Sequence, residues 1–184
     1  GIVVQKSSIL GSGPIVSTRF TLASGASGEG PYAPRGVDND DPSSTAGYFV
    51  GPSNAALGRV VIRKVTGAGT GSPTLGANLL ISVPTTANPI TPVGSNGISI
   101  DQIDDRAYHA TMRLNRKTGQ RSLWLAHHIR GNSSGVGSRS GDRNIARWYQ
   151  IDPTPAAPIL LQSGTSWDAS VADHYSFPSP TMTG

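Results

Sequence analysis

The chain has 184 residues, 36% hydrophobic and only 14% charged, a length that suggests one domain or part of a larger one. It has no cysteine, which excludes a disulfide framework and Cys-ligated zinc. The formal charge is only +4, from 15 Lys and Arg against 11 Asp and Glu, and no apolar run approaches the roughly 20 residues of a membrane-spanning helix.

Gly (23) and Pro (14) are abundant, as in all-β proteins built from many short strands and turns. Residues 2–5 and 15–22 read as strands, the second with strict alternation: Ile15, Ser17, Arg19 and Thr21 against Val16, Thr18, Phe20 and Leu22. A small-residue loop leads to Pro31-Tyr32-Ala33-Pro34, where two prolines fix φ ahead of the acidic turn Asp38-Asn39-Asp40-Asp41. Strands are predicted at 47–51, 59–65 and 77–83, followed by a Pro/Thr/Asn loop at 84–97 with no helix or strand period. Three further strand-like runs, 106–114, 122–129 and 145–151, are separated by the tight turn at 115–119 and the Gly/Ser loop at 131–141. A fourth run at 158–164 completes a four-stranded antiparallel meander. No window carries the period of a long amphipathic helix.

The order polar opening, strand, strand, strand recurs. Aligning Pro34, Asp105 and Phe177 gives near-equal separations, which points to an internal repeat of propeller-like blades. The expected divisions are the end of a preceding blade at 1–30, a blade-like repeat at 31–97, a complete four-stranded blade at 98–167 and the start of another at 168–184. The fold class is therefore all-β, with antiparallel meanders as blades of a partial propeller. A β-sandwich with Greek-key connections is the alternative, and sequential pairing weighs against it because a sandwich must cross strands between sheets. The chain begins without Met and stops at Pro180-Thr181-Met182-Thr183-Gly184 with no terminal element, so a piece of a longer polypeptide is expected. No signal-peptide pattern is visible.

Several clusters bear on chemistry. Asp38, Asn39, Asp40 and Asp41 supply oxygen ligands of the kind calcium takes, although the sixth and twelfth places of a calcium loop hold Ser43 and Phe49. The competing reading is an Asx turn into Pro42. Asp101, Asp104, Asp105 and Arg106 form a second cluster. Paired carboxylates suit glycoside hydrolysis, but Asp104 and Asp105 point to opposite faces if the backbone is extended; a charged turn with Arg106 as partner is the competing reading. His127 and His128 should diverge in the same way. No Gly-x-Ser-x-Gly elbow is present. Arg113, Arg116, Lys117, Arg121, Arg130, Arg139, Arg143 and Arg147 concentrate in one third of the chain; without a nucleic-acid-binding motif they read as solvated hairpin ends, and no nucleic-acid partner is expected. Trp124 and Trp148 lie mid-strand and are predicted in the core. Trp167 and Tyr175 lie in looser sequence and are the candidate ligand-binding aromatics.

Arg35-Gly36-Val37-Asp38-Asn39-Asp40-Asp41, Gly47-Tyr48-Phe49-Val50-Gly51, Asp104-Asp105-Arg106, Ser122-Leu123-Trp124-Leu125-Ala126-His127 and Ala146-Arg147-Trp148-Tyr149-Gln150-Ile151 together resemble segments of large, mostly uncharacterised bacterial extracellular proteins with propeller-like repeats. The resemblance covers most of residues 31–184. It implies a secreted or cell-surface, multi-blade protein and no particular activity or site. The resulting expectation is a non-enzymatic structural or adhesive protein, with the rest of the same polypeptide or identical subunits as partners and glycan as a further ligand. The alternative is a carbohydrate-active enzyme or binding module of propeller type, working through Asp104, Asp105, Arg106 and His127.

Overall fold

The computed structural model describes residues 1–23, 28–39, 41–175 and 178–180. Asp40, Ser176, Phe177 and the last four residues lie outside the described set, and with them part of the acidic cluster and of the expected restart. The all-β expectation holds. A two-stranded hairpin pairs β1 (Ile2–Val4) with β2 (Ser17–Arg19) around a short helix, α1 (Lys6–Leu10). A four-stranded sheet contains β3 (Arg35–Gly36), β5 (Ala46–Pro52), β6 (Arg59–Thr66) and β7 (Thr74–Ser82), in that order. A five-stranded sheet runs β11 (Ile159–Ser166), β10 (Arg143–Asp152), β9 (Arg121–Gly131), β8 (His109–Leu114) and β4 (Asp38–Asn39). Neither sheet closes into a barrel. Among the described residues no helix is long and apolar enough to cross a membrane.

Local chemistry accounts for the meander. Asn115 Oδ1 accepts from the backbone N–H of Lys117 at 3.0 Å and of Thr118 at 3.3 Å, which closes the β8–β9 turn. In the longer β9–β10 loop, Asn132 Oδ1 accepts from Ser134 and Val136 N–H. The strands then pair consecutively and antiparallel, β8 with β9, β9 with β10 and β10 with β11. β5, β6 and β7 form a second consecutive meander.

The two meanders share one core. Leu123 and Leu125 on β9, Tyr149 and Ile151 on β10, and Ala110 and Met112 on β8 point one way. They meet Tyr48 and Val50 of β5, Val60 and Ile62 of β6 and Ile81 of β7. Period-2 alternation puts these apolar positions on one face of each sheet, and burying a large aliphatic or aromatic side chain there contributes roughly 1.5–3 kcal/mol. The chain crosses between the sheets at close range on either side of β4, from β3 into the five-stranded sheet and back to β5. Arg35 pairs with Val50 in the four-stranded sheet, and three residues on, Asp38 pairs in parallel with Thr111 in the five-stranded sheet. Val37, between them, packs on the core and donates its N–H to Tyr48 O at 3.0 Å.

The outer face of the four-stranded sheet is covered by the N-terminal segment. Arg63 Nη1 donates to Leu22 O, and Asn78 Nδ2 donates to Glu29 O at 2.7 Å. The Phe49 ring lies against Gly1. Three layers thus follow chain order apart from β4: the N-terminal segment, the four-stranded sheet and the five-stranded sheet.

Ile62 and Leu125 face each other's sheets with 0% and 1% exposure. Leu125→Ala is expected to lower unfolding free energy by about 2–5 kcal/mol in a urea titration, with Ile62→Ala equivalent. A loss under about 1 kcal/mol at both sites would contradict a shared core.

Candidate functional site: a polar cleft at a strained turn

The turn before β8 builds the most polarised group of side chains. Asp104 accepts from Arg106 through Nε at 2.7 Å, Nη2 at 2.5 Å and the backbone N–H at 2.9 Å. Tyr32, 72 residues earlier, donates its hydroxyl to Asp104 Oδ2 at 2.9 Å. The Arg106 guanidinium also sits 5.9 Å from the Tyr32 ring centroid. The Arg106 hydrogen bonds, with Tyr32 adding to them, hold the Asp104 carboxyl down at about 2. The expected charged turn with Arg106 as partner is present.

Asp105 is different. Burial, reinforced by the negative charge of Asp104, pushes its carboxyl up to about 6. The segment bends here and is not extended, so strand alternation does not separate the two carboxylates: both line one open cleft of about 530 Å³. Tyr32, Asn54, Leu57, Asn88 and Arg139 complete much of its wall. The two non-glycine residues with positive φ among those described, Ala33 at 40° and Ile103 at 60°, adjoin Tyr32 and Asp104. A β-branched residue in this region stores of the order of 1–3 kcal/mol of strain. That strain flanks both ends of the Tyr32–Asp104 hydrogen bond.

Behind the cleft lies a neutral histidine. His127 Nδ1 is 2.6 Å from the Asp105 carbonyl oxygen, so Nδ1 carries the proton; Nε2 then accepts from the Tyr149 hydroxyl at 3.0 Å. Burial lowers His127 to about 4 and raises Tyr149. The imidazole touches the Asp105 backbone and the sheet interior, and no hydrogen bond joins it to either carboxylate. His128 diverges to the other face, as expected, with Nε2 3.0 Å from Gln102 O.

The other predicted positions are dispersed. Asp41 Oδ1 accepts from Ser43 N and Oγ, and Oδ2 accepts from Arg121 Nε at 2.7 Å. Asn39 Oδ1 accepts from the Asp41 N–H, and Asp38 lies 3.5 Å from His109 Nε2. Among the described residues no three His, Asp or Glu side chains gather around a common point. Trp167 pins the β9–β10 loop: its indole N–H donates to Ser133 O at 3.2 Å, and its ring covers Gly135, where a Cβ would come within 2.6 Å of the indole and φ is +73°. Tyr175 donates its backbone N–H to Asn144 O at the start of β10. The two aromatics are thus tied to different elements. The basic cluster is also divided: Arg143 and Arg147 are buried while Arg121 pairs with Asp41.

Trp124 and Trp148 correct a prediction. They are half-exposed on the outer face of the five-stranded sheet, not in the core. Each is flanked by residues that take the inner face, Leu123 and Leu125 around one, Tyr149 beside the other, so alternation turns the indoles outward.

Sequence reading reached Asp104, Asp105 and Arg106 but missed Tyr32, Asn88 and Arg139, which are distant in the chain. A partial signal was present in the two prolines that bracket Tyr32-Ala33. Comparison with family models, with curated proteins and with solved structures gives no match.

The titration of this site has a testable sign. Asp105, raised in the folded state, makes stability fall as pH climbs from the ordinary carboxylate value through about 6. His127, lowered, makes stability rise as pH climbs from about 4 to the ordinary imidazole value. The two slopes oppose one another. Asp105→Asn is expected to remove the falling slope and leave the rise that His127 and the likewise buried, lowered His128 produce, and to be more stable than the unsubstituted chain at pH 7 by up to about 3 kcal/mol. Urea titrations at pH 4.5, 5.5 and 7 check this; parallel pH profiles for the two proteins would mean that the Asp105 carboxyl is ordinarily solvated.

Proposed function

We propose that the chain is a non-enzymatic, glycan-binding segment of a secreted or cell-surface repeat protein of β-propeller type, with the Tyr32–Asp104–Asp105 cleft as its binding site. The observation that carries the reading is the cleft's unspent polar groups. Tyr32 and Asp104 are consumed in holding the turn, whereas among the described residues the side chains of Asn88 and Arg139 make no hydrogen bond and that of Asp105 meets only its own backbone N–H. Planar amide, carboxylate and guanidinium groups beside an aromatic ring are the donor and acceptor set that binds sugar hydroxyls. Strained backbone that holds such groups in place is the usual signature of a preorganised site.

Binding is favoured over hydrolysis because Asp104 is neutralised by Arg106. A glycosidase needs two carboxyl groups that are both free to act; here one is committed to an ion pair. The raised Asp105 does favour a second reading, in which it serves as a general acid in a carbohydrate-active enzyme.

The propeller-type assignment is supported by consecutive meanders that stack in chain order. The outer strands β7 and β11 expose Leu80, Ile159 and Leu161, and such edges call for covering by more of the same polypeptide or by identical subunits.

Calorimetric titration of the full chain against a panel of neutral and basic oligosaccharides tests the reading. Saturable binding is expected, weakened about ten-fold or more by Asp105→Ala and by Arg139→Ala. Binding unaffected by either substitution would remove the cleft from the function. Release of reducing sugar that Asp105→Asn abolishes would establish the hydrolytic reading instead.

A further inference from the structure

The outward-facing tryptophans form a second site of different chemistry. Trp124 and Trp148 are diagonal neighbours on β9 and β10, with ring centroids 5.9 Å apart and planes inclined by 34°. Together they make a shallow V. Small residues floor it: Ala126 lies opposite Trp148 on β9, and Gly164 lies opposite it on β11. A Cβ on Gly164 would come within 2.3 Å of the Trp148 ring, so glycine there is what lets the indole lie flat across the strand. With Ala146 and Ser166 the residues enclose a mostly apolar groove of about 340 Å³.

The chain's own Pro178-Ser179-Pro180 forms one wall of the groove, across from the indoles' sheet face. Both prolines are half-buried and the serine between them is exposed, so alternate residues turn away from solvent at the groove. The chemistry of this contact is specific. Proline has no backbone N–H, so seating it on an apolar surface buries no unpaired donor. Its fixed φ lowers the entropy lost on docking. Aromatic-lined grooves recognise proline-rich segments for these reasons.

We propose that the Trp124–Trp148 groove is a recognition site for Pro-x-Pro peptide segments, and that Pro178-Ser179-Pro180 is its resident intramolecular ligand. The tail walls the groove in cis at a high effective concentration and masks it. A Pro-x-Pro segment of another chain is then a competitor for the same surface. This site is on the opposite face of the five-stranded sheet from the shared core and does not depend on the cleft at Asp105.

The test uses the full chain, unsubstituted and as Pro178→Ala with Pro180→Ala, and a capped synthetic peptide spanning residues 174–182. Binding is followed by tryptophan emission and by the indole N–H resonances of Trp124, Trp148 and Trp167. In the substituted chain the emission is expected to shift to the red. The peptide is expected to bind it about ten-fold or more tightly than the unsubstituted chain, because the resident tail no longer competes. The Trp124 and Trp148 resonances should move while that of Trp167 stays. Equal affinity for the two proteins, no binding to either, equal binding by a peptide with both prolines replaced by alanine, or movement of the Trp167 resonance alone would each overturn the proposal. The substituted residues lie outside every strand, so loss of fold does not enter.

Discussion

Two sheets, each apolar on one face, bury those faces against each other, and the remaining features are arranged by that contact. Leu123, Leu125, Tyr149 and Ile151 commit one face of the five-stranded sheet to the interior. Val50, Val60, Ile62 and Ile81 commit the facing side of the four-stranded sheet. Because strand side chains alternate, every inward choice fixes an outward one. Trp124 and Trp148 are therefore on the outside as a consequence of their neighbours. The polar pair of His127 with Tyr149 is accepted at the core because each ring finds a hydrogen-bond partner there.

The polar cleft depends on the same contact at its rim. β8 can join the sheet only after the turn at Asp104–Arg106 has redirected the chain, and Asp104 is the staple of that turn. It gathers a guanidinium from two residues on and a phenol from the segment that leads into β3. Arg35 makes a parallel link, donating Nε to Ala107 O at 2.8 Å while its guanidinium lies over Tyr108. These ties bring the two sheets' opening segments into register. They also leave Asp105 between a buried wall and an ionised neighbour, which is why adjacent carboxyl groups differ so widely in proton affinity.

The two proposed sites divide the molecule's surface chemistry. The cleft offers charged and amide groups around a strained turn and suits a ligand rich in hydroxyls. The tryptophan groove offers flat apolar rings over small floor residues and suits a ligand without backbone donors. Trp167 belongs to neither. Its indole holds the β9–β10 loop through Ser133 and Gly135, a structural use of an exposed aromatic.

Much of the architecture was legible in the residues themselves. Alternation, turn chemistry at Asn115 and the Gly/Ser loop placed the four strands of the second meander within a few residues, because strand periodicity and turn propensity are local properties. The ion pair of Asp104 with Arg106 was equally local. What the linear pattern left open was which face of each strand turns inward. A mid-strand tryptophan between leucines is compatible with either face, and only the opposing sheet, built from residues distant in the chain, decides. The same holds for Tyr32, Asn88 and Arg139, which have no sequence relation to Asp105 and meet it only through the packing of two sheets. The proton affinity of Asp105 belongs to that class as well, since burial is a property of the assembled fold and of no residue alone.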